Sequence, residues 1–242
     1  MDNTQEHWEE SAAEASGEAG LDCVLIYPPW PAISGRAILI SNLPPLGVLS
    51  IAAHVESQGF SVQVYDAHSE ALDEMELRAR LRAHRPRVVG LSVLTSQCPA
   101  AHKIARICKE ELPECTVVAG GVHAEAMPER MLRNSAIDCV VRGDGEDAMV
   151  ELLSGRPFQE VAGTTWREEG RVRHGPMRPV EMDLDRYPMP AYHMVDFDNY
   201  YPGATTYRHL PAINLLMTRG CPGRCTFCNS AMTTLRSRSA ES

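Results

Sequence analysis

The sequence predicts an α/β fold: a five-stranded, doubly wound parallel sheet, followed by a hairpin and linker and then one further strand. Three observations carry this. Short apolar runs alternate five times with amphipathic stretches of helical period across residues 22–153. The runs are apolar on both faces, which marks strands covered on both sides. After about residue 155 the alternation stops and Pro, Tyr and Asp take over.

The elements follow in order. Residues 22–27 (DCVLIY) are a buried strand, halted by Pro28, Pro29, Trp30 and Pro31. Pro45 opens a helix that ends at Gly59, a residue suited to the C′ position. Residues 61–66 form a second strand, 75–84 a helix stopped by Pro86, and 87–93 a third strand. A helix over 99–112 is ended by Pro113. A fourth strand spans 115–121, followed by a short helix around 128–134. The fifth pair is a strand at 137–141 and a helix at 146–153. Residues 163–175 read as two short strands around Glu169-Gly170, residues 176–212 as an extended linker, and INLLM (213–217) as a sixth strand-like run. Crossovers in such sheets are right-handed, and ligands sit outside the carboxyl ends of the strands. The loops after residues 27, 66, 93, 120 and 141 are therefore the ones to inspect.

Composition narrows the function. Of 242 residues, 44% are hydrophobic and 23% charged, which fits a globular chain rather than a disordered one. No run reaches the ~18–20 apolar residues of a membrane span. The formal charge is -9, of which the acidic residues of the first twenty positions supply -6. That stretch is read as a solvated, disordered tail, and the mildly acidic remainder argues against nucleic-acid binding. No secretory signal opens the chain, so the expected compartment is the cytoplasm, where the eight cysteines stay reduced. Asp66-Ala67-His68 follows the second strand, and His68 is read as a loop residue, with Asp66 capping the next helix or touching a ligand edge. Cys23, Cys108, Cys115 and Cys139 fall in predicted strands and a helix and read as small buried thiols.

Cys221-Pro-Gly-Arg-Cys225-Thr-Phe-Cys228 is the most informative stretch. Three thiols within eight residues of a Gly/Pro loop can converge on one iron–sulfur cluster. A structural zinc site wants a fourth Cys or His at regular spacing, and residues 229–242 contain neither. Three ligands leave one iron of a four-iron cluster open to bind a substrate group.

The Cys-x-x-x-Cys-x-aromatic-Cys form resembles the radical S-adenosylmethionine (SAM) superfamily. The resemblance implies that Cys221, Cys225 and Cys228 hold a [4Fe-4S] cluster whose fourth iron chelates SAM. One electron then cleaves SAM to methionine and a deoxyadenosyl radical. Phe227 matches the aromatic position near SAM. The preceding five-stranded sheet resembles the Rossmann-like cobalamin-binding domain of cobalamin-dependent radical SAM proteins. The matching features are Tyr27-Pro28-Pro29, Leu43-Pro44-Pro45-Leu46-Gly47, Val89-Gly90-Leu91-Ser92, Gly120-Gly121-Val122-His123 and Arg142-Gly143-Asp144-Gly145-Glu146. Asp144 stands where the family's last motif usually has Glu. The resemblance covers residues 22–242. It implies base-off cobalamin without a protein histidine on its lower face, His123 being the residue most able to contradict that.

On this reading Pro28, Pro29, Ser92, Thr95, Gly120, Gly121, His123, Gly143, Gly145 and Glu146 are the candidate cobalamin contacts. Each glycine also fits a plain tight turn; the coincidence at two adjacent strand ends points to a cleft. The expected organisation is a tail (1–20), a cobalamin-binding domain (21–155), hairpin and linker (156–212), and the first strand and cluster loop of an incomplete β/α barrel (213–242). INLLM is then expected to present an open edge, with 213–242 weakly packed. Three functions follow. The first is a radical SAM enzyme, or a fragment of one, acting on a small-molecule organic substrate by methyl transfer or radical rearrangement with an electron donor protein. The second is a free-standing corrinoid-binding module or non-catalytic remnant. The third is a ligand-free doubly wound domain, which leaves the cysteines unexplained.

Overall fold

The computed structural model describes residues 20–31, 42–133, 136–203, 207–210, 212–223, 225–226, 228 and 235–239. The expected acidic tail lies almost wholly outside them. Five parallel strands, β1 (Cys23–Tyr27), β2 (Val62–Asp66), β3 (Val88–Ser92), β4 (Thr116–Gly120) and β5 (Cys139–Val141), stand in the order β2-β1-β3-β4-β5. Each expected strand is present, shortened by a residue or two at its ends.

The strand faces explain the two layers of helices. Along β1, Val24 and Ile26 point to one face while Cys23 and Leu25 point to the other. The first face packs against α2 (Glu74–His84), α3 (Cys98–Glu111) and the short α4 (Val122–Ala126) and α5 (Pro128–Leu132). The second packs against α1 (Leu46–Ser57) and α6 (Glu146–Leu153). Gly59 follows α1 at φ +85°, the left-handed backbone its position requires. The cap of α2 is Asp73, whose carboxylate accepts from Glu76 N at 2.8 Å. Asp66 is buried instead in its own turn, accepting from the backbone of His68 and Ser69 and from Tyr200 Oη at 2.9 Å.

Two readings of the sequence are altered. The hairpin, β6 (Thr164–Glu168) and β7 (Arg171–His174), continues the sheet antiparallel from β5, making seven strands. Arg142 fixes it there: its guanidinium donates to the carbonyls of Gly175 and Thr164 at 2.6 and 3.3 Å. INLLM is not a strand. A strand needs a neighbour to satisfy its backbone, and among the described residues no strand pairs with 213–216. Ile213, Leu215 and Leu216 are exposed; Asn214 is tied down by Tyr192 Oη and the Pro44 carbonyl, and the Met217 carbonyl accepts from Arg238 N at 2.9 Å. The ladder forms further on, between β8 (Thr218–Arg219) and β9 (Arg236–Ser237).

The linker lies across the second helical layer. Ala191 N donates to the Leu49 carbonyl at 3.0 Å, and Leu184, Tyr187, Ala191 and Tyr200 are buried. Leu49, on α1, is fully enclosed in the cluster it forms with the sheet and Ala191 of this linker. Leu49→Ala is expected to lower stability by about 2–5 kcal/mol, read by denaturant unfolding. No helix among the described residues is long and apolar enough to cross a membrane.

Acid sensitivity is built into the first layer. Burial holds His84, His102 and His123 below the ordinary imidazole range, and repulsion from Arg80, from His123 and Arg106, and from Arg130 respectively adds to it. An unfolded chain takes up these protons near pH 6.5, before the native chain does. Stability is therefore expected to be full above about pH 7 and to fall as pH drops through about 6.5. Thermal unfolding between pH 8 and pH 5.5 checks this; a flat or rising profile contradicts it.

Candidate functional site

The strand order places a topological switch between β1 and β3, because β2 lies on one side of β1 and β3 to β5 on the other. Ligands of open α/β sheets sit outside the carboxyl ends at such a point. A cleft of about 70 Å³ opens there. Its floor is Ser92, Gly120, Gly121, Gly143 and Gly145, at the ends of β3, β4 and β5. Its walls are apolar: Leu25, Val48, Ile51 and Met149. A second cleft of about 350 Å³ shares Val48 and Ser92 with it and runs over Tyr27, Trp30, Asn42 and His68. The Leu43–Gly47 entry to α1 forms its edge.

The glycines differ in what they do. A Cβ at Gly145 would lie 2.7 Å from Ile51, and one at Gly121, whose φ is +87°, would lie 2.9 Å from Val93 N. Packing and backbone alone explain these two. Gly120 is different. A Cβ there meets only the Val141 carbonyl, at 3.9 Å, and its φ is ordinary. Nothing in the fold demands glycine at 120, and any side chain would occupy the cleft. That open cradle suits a large flat ligand pressed against the backbone.

Other expected contacts lie elsewhere. Pro28 and Pro29 do not line either cleft. The Pro28 carbonyl accepts from Gln97 Nε2 at 2.6 Å, which turns the chain so that Tyr27 and Trp30 face the second cleft instead. Thr95 is exposed and pairs with His123 Nδ1 at 3.2 Å. His123, on α4, is 8% exposed and lines neither cleft, whereas His68 borders the second. Glu146 is 2% exposed and faces away from the cleft, accepting from Arg219 Nη2 at 2.6 Å. The apolar walls carried no sequence signal beyond helical periodicity, since core residues show the same pattern.

Cys221, Cys225 and Cys228 are exposed on a turn directly after β8. Cys221 Sγ accepts from Gly223 N at 3.3 Å, and a Cβ at Gly223 would lie 3.3 and 3.6 Å from the sulfurs of Cys221 and Cys225. Two thiols thus gather around Gly223. The described residues hold no ready-made metal cage, as expected for thiolates that close only around their metal. The donor set, soft sulfur on an exposed Gly/Pro loop, fits an iron–sulfur cluster. Phe227 lies outside the described residues. Cys23, Cys108, Cys115 and Cys139 are buried, and burial pushes the last three thiols up to about 12, 11 and 12, so they stay protonated.

Residues 39–153 match the B12 binding domain family. A methyltransferase of Pyrococcus horikoshii, PH0819, named as uncharacterized, is 31% identical over 86% of this chain and 45% of its own length. The anaerobic magnesium-protoporphyrin IX monomethyl ester cyclase of Synechocystis is 30% identical over 85% of this chain and 41% of its own. Among solved structures, the radical SAM methyltransferase TsrM of Kitasatospora setae, with cobalamin and a [4Fe-4S] cluster bound, superposes with a TM-score of 0.64. It covers 90% of this chain and 44% of that one at 19% identity. The cobalamin-dependent SAM radical enzyme OxsB superposes at 0.65, over 98% of this chain and 31% of its own, at 18% identity.

The chain carries a B12-binding domain and is similar to cobalamin-dependent radical SAM enzymes. It spans less than half the length of the curated relatives it matches. The two solved structures share its fold, a Rossmann-like cobalamin domain with the sheet described above. The family motifs fall on two places in this molecule: the glycine-floored cleft and the cysteine turn.

Proposed function

We propose that the chain binds cobalamin in the cleft at the carboxyl edge of its sheet and a [4Fe-4S] cluster on Cys221, Cys225 and Cys228. In that state it serves SAM-dependent methyl transfer to, or cyclisation of, a small organic substrate. The observation that carries the reading is Gly120, a strand-end glycine that the fold does not require and that opens the cleft floor.

Bound in these places, the cluster supplies one-electron cleavage of SAM and the corrinoid supplies a methyl carrier or a partner for radical chemistry. The residues of this chain bind and orient. Gly120 and Gly121 let a macrocycle approach the backbone, and Ser92 offers a hydroxyl at the cleft's edge. The apolar side chains of Val48, Ile51 and Met149 exclude water from the buried part of the ligand. His123 lies away from the cleft, which supports a corrinoid whose lower face has no ligand from that residue. The electron comes from a reduced donor protein that reaches the exposed cysteine turn.

The test is anaerobic assembly with iron, sulfide and hydroxocobalamin, then SAM and dithionite, with chromatography for S-adenosylhomocysteine and 5′-deoxyadenosine. Formation of either above a no-cluster control is expected. A chain that takes up corrinoid yet leaves SAM intact is instead a corrinoid-binding module, and the enzymatic reading falls.

A further inference from the structure

The loop after β5 has two faces. Gly143 and Gly145 form part of the cleft floor, while Asp144 and Glu146, interleaved with them, turn to the two-stranded ribbon that brackets the cysteines. Glu146 Oε1 accepts from Arg219 Nη2 at 2.6 Å. Asp144 Oδ2 accepts from Arg236 Nη1 at 2.6 Å, and its Oδ1 lies 3.5 Å from Arg219 Nη1. The Arg236 side chain is fully buried.

The ribbon itself explains why two acids are needed. β8 and β9 pair antiparallel with Arg219 directly opposite Arg236. Like charges directly opposite on a ladder repel, and a buried charge left without its partner is costly. The two carboxylates neutralise the two guanidiniums, and only then can the register Thr218–Ser237, Arg219–Arg236 be held. Arg219 also lies over the Tyr187 ring at 5.7 Å, and Arg238 donates to the carbonyls of Tyr187 and Pro188. Cys221 follows Arg219 after Gly220 alone, whose φ is +86°. The loop at 143–146 is thus tied through two arginines to the ribbon from which the first thiol leaves.

We infer that Asp144 and Glu146, through Arg219 and Arg236, couple occupancy of the corrinoid cleft to the order of the cysteine turn. The four act as positioning residues for the thiols. A ligand that rests on Gly143 and Gly145 fixes the loop, the fixed acids hold the ribbon in register, and the cysteines are presented together. The inference rests on the proposed corrinoid site. By linkage, filling the cysteine turn raises corrinoid affinity by the same factor.

Hydrogen–deuterium exchange of the full chain, free of iron and with or without hydroxocobalamin, tests this, with corrinoid uptake followed by absorbance on the same samples. In the wild type, hydroxocobalamin is expected to slow exchange over 217–223 about tenfold. Arg219→Gln is expected to take up hydroxocobalamin yet lose that protection, while exchange in β1–β5 stays unchanged as a check on folding. The charge-swapped pair Glu146→Arg with Arg219→Glu is expected to regain it, and provides the reading if the single variant does not fold. Equal protection in wild type and Arg219→Gln overturns the inference. So does a wild type that binds hydroxocobalamin with no change over 217–223, or a folded swap that binds without regaining protection. A wild type that takes up no corrinoid overturns the proposed site and this inference with it.

Discussion

Replacing Cys221, Cys225 and Cys228 together by alanine is expected to lower iron and acid-labile sulfide after anaerobic assembly at least about tenfold, to background. The selectivity follows from the structure. These three are the exposed cysteines, whereas Cys23, Cys108, Cys115 and Cys139 are buried and Cys98 is half-buried. A thiolate is the ligand form, and burial keeps the enclosed thiols protonated. The exposed side chains contribute little packing, so unfolding should shift by no more than about 0.5 kcal/mol. Cys98→Ser provides the control and should retain iron. Retention of iron and sulfide by the triple variant would show that the metal is held elsewhere.

Gly120→Phe is expected to weaken hydroxocobalamin binding about 100-fold or more, about 2.7 kcal/mol, by absorbance titration. Gly120 shares its strand face with Val118, and both line the cleft. Its surroundings leave room for a Cβ, so the ring fills the ligand's space rather than colliding with the core. Thermal unfolding should consequently move by only a few degrees. Gly145→Phe makes the informative contrast. Its Cβ would meet Ile51 at 2.7 Å, so stability and binding are expected to fall together.

What the sequence made legible follows from the physics of each segment. DCVLIY and RVVGLSV are apolar on both faces and bounded by Pro or Gly, and a run of that kind is stable only inside a covered parallel sheet. The cleft lies at the carboxyl ends of such runs. INLLM has the same composition but lies extended without a ladder, because composition reports suitability for a sheet and not the presence of a neighbour. The hairpin at 164–174 was readable as a hairpin, whereas its docking on β5 depends on Arg142 reaching carbonyls more than twenty residues away.

The candidate site divides in the same manner. Strand-end glycines stand out in a sequence because few other roles require them, and Gly120, Gly121, Gly143 and Gly145 all line the cleft. Side-chain direction is not written there. Pro28 and Pro29 turn the chain, and the neighbours Tyr27 and Trp30 reach the second cleft. Glu146 looked like a ligand contact because it sits beside Gly145. It is drawn away by Arg219, more than seventy residues on, and only the fold brings that charge near. The opposed pair Arg219–Arg236 was equally hidden, since their register depends on β8 and β9 forming at all.

One molecule is expected to hold both cofactors at separate places. Metal, sulfide and corrinoid analysis of the anaerobically assembled, desalted wild type, paired with its absorption spectrum, tests this most directly. About four irons, about four sulfides and about one corrinoid per chain are expected. Gly120→Phe should lose only the corrinoid, and the triple cysteine variant only iron and sulfide. Corrinoid retained by Gly120→Phe at the wild-type level, or a wild type without sulfide, contradicts it.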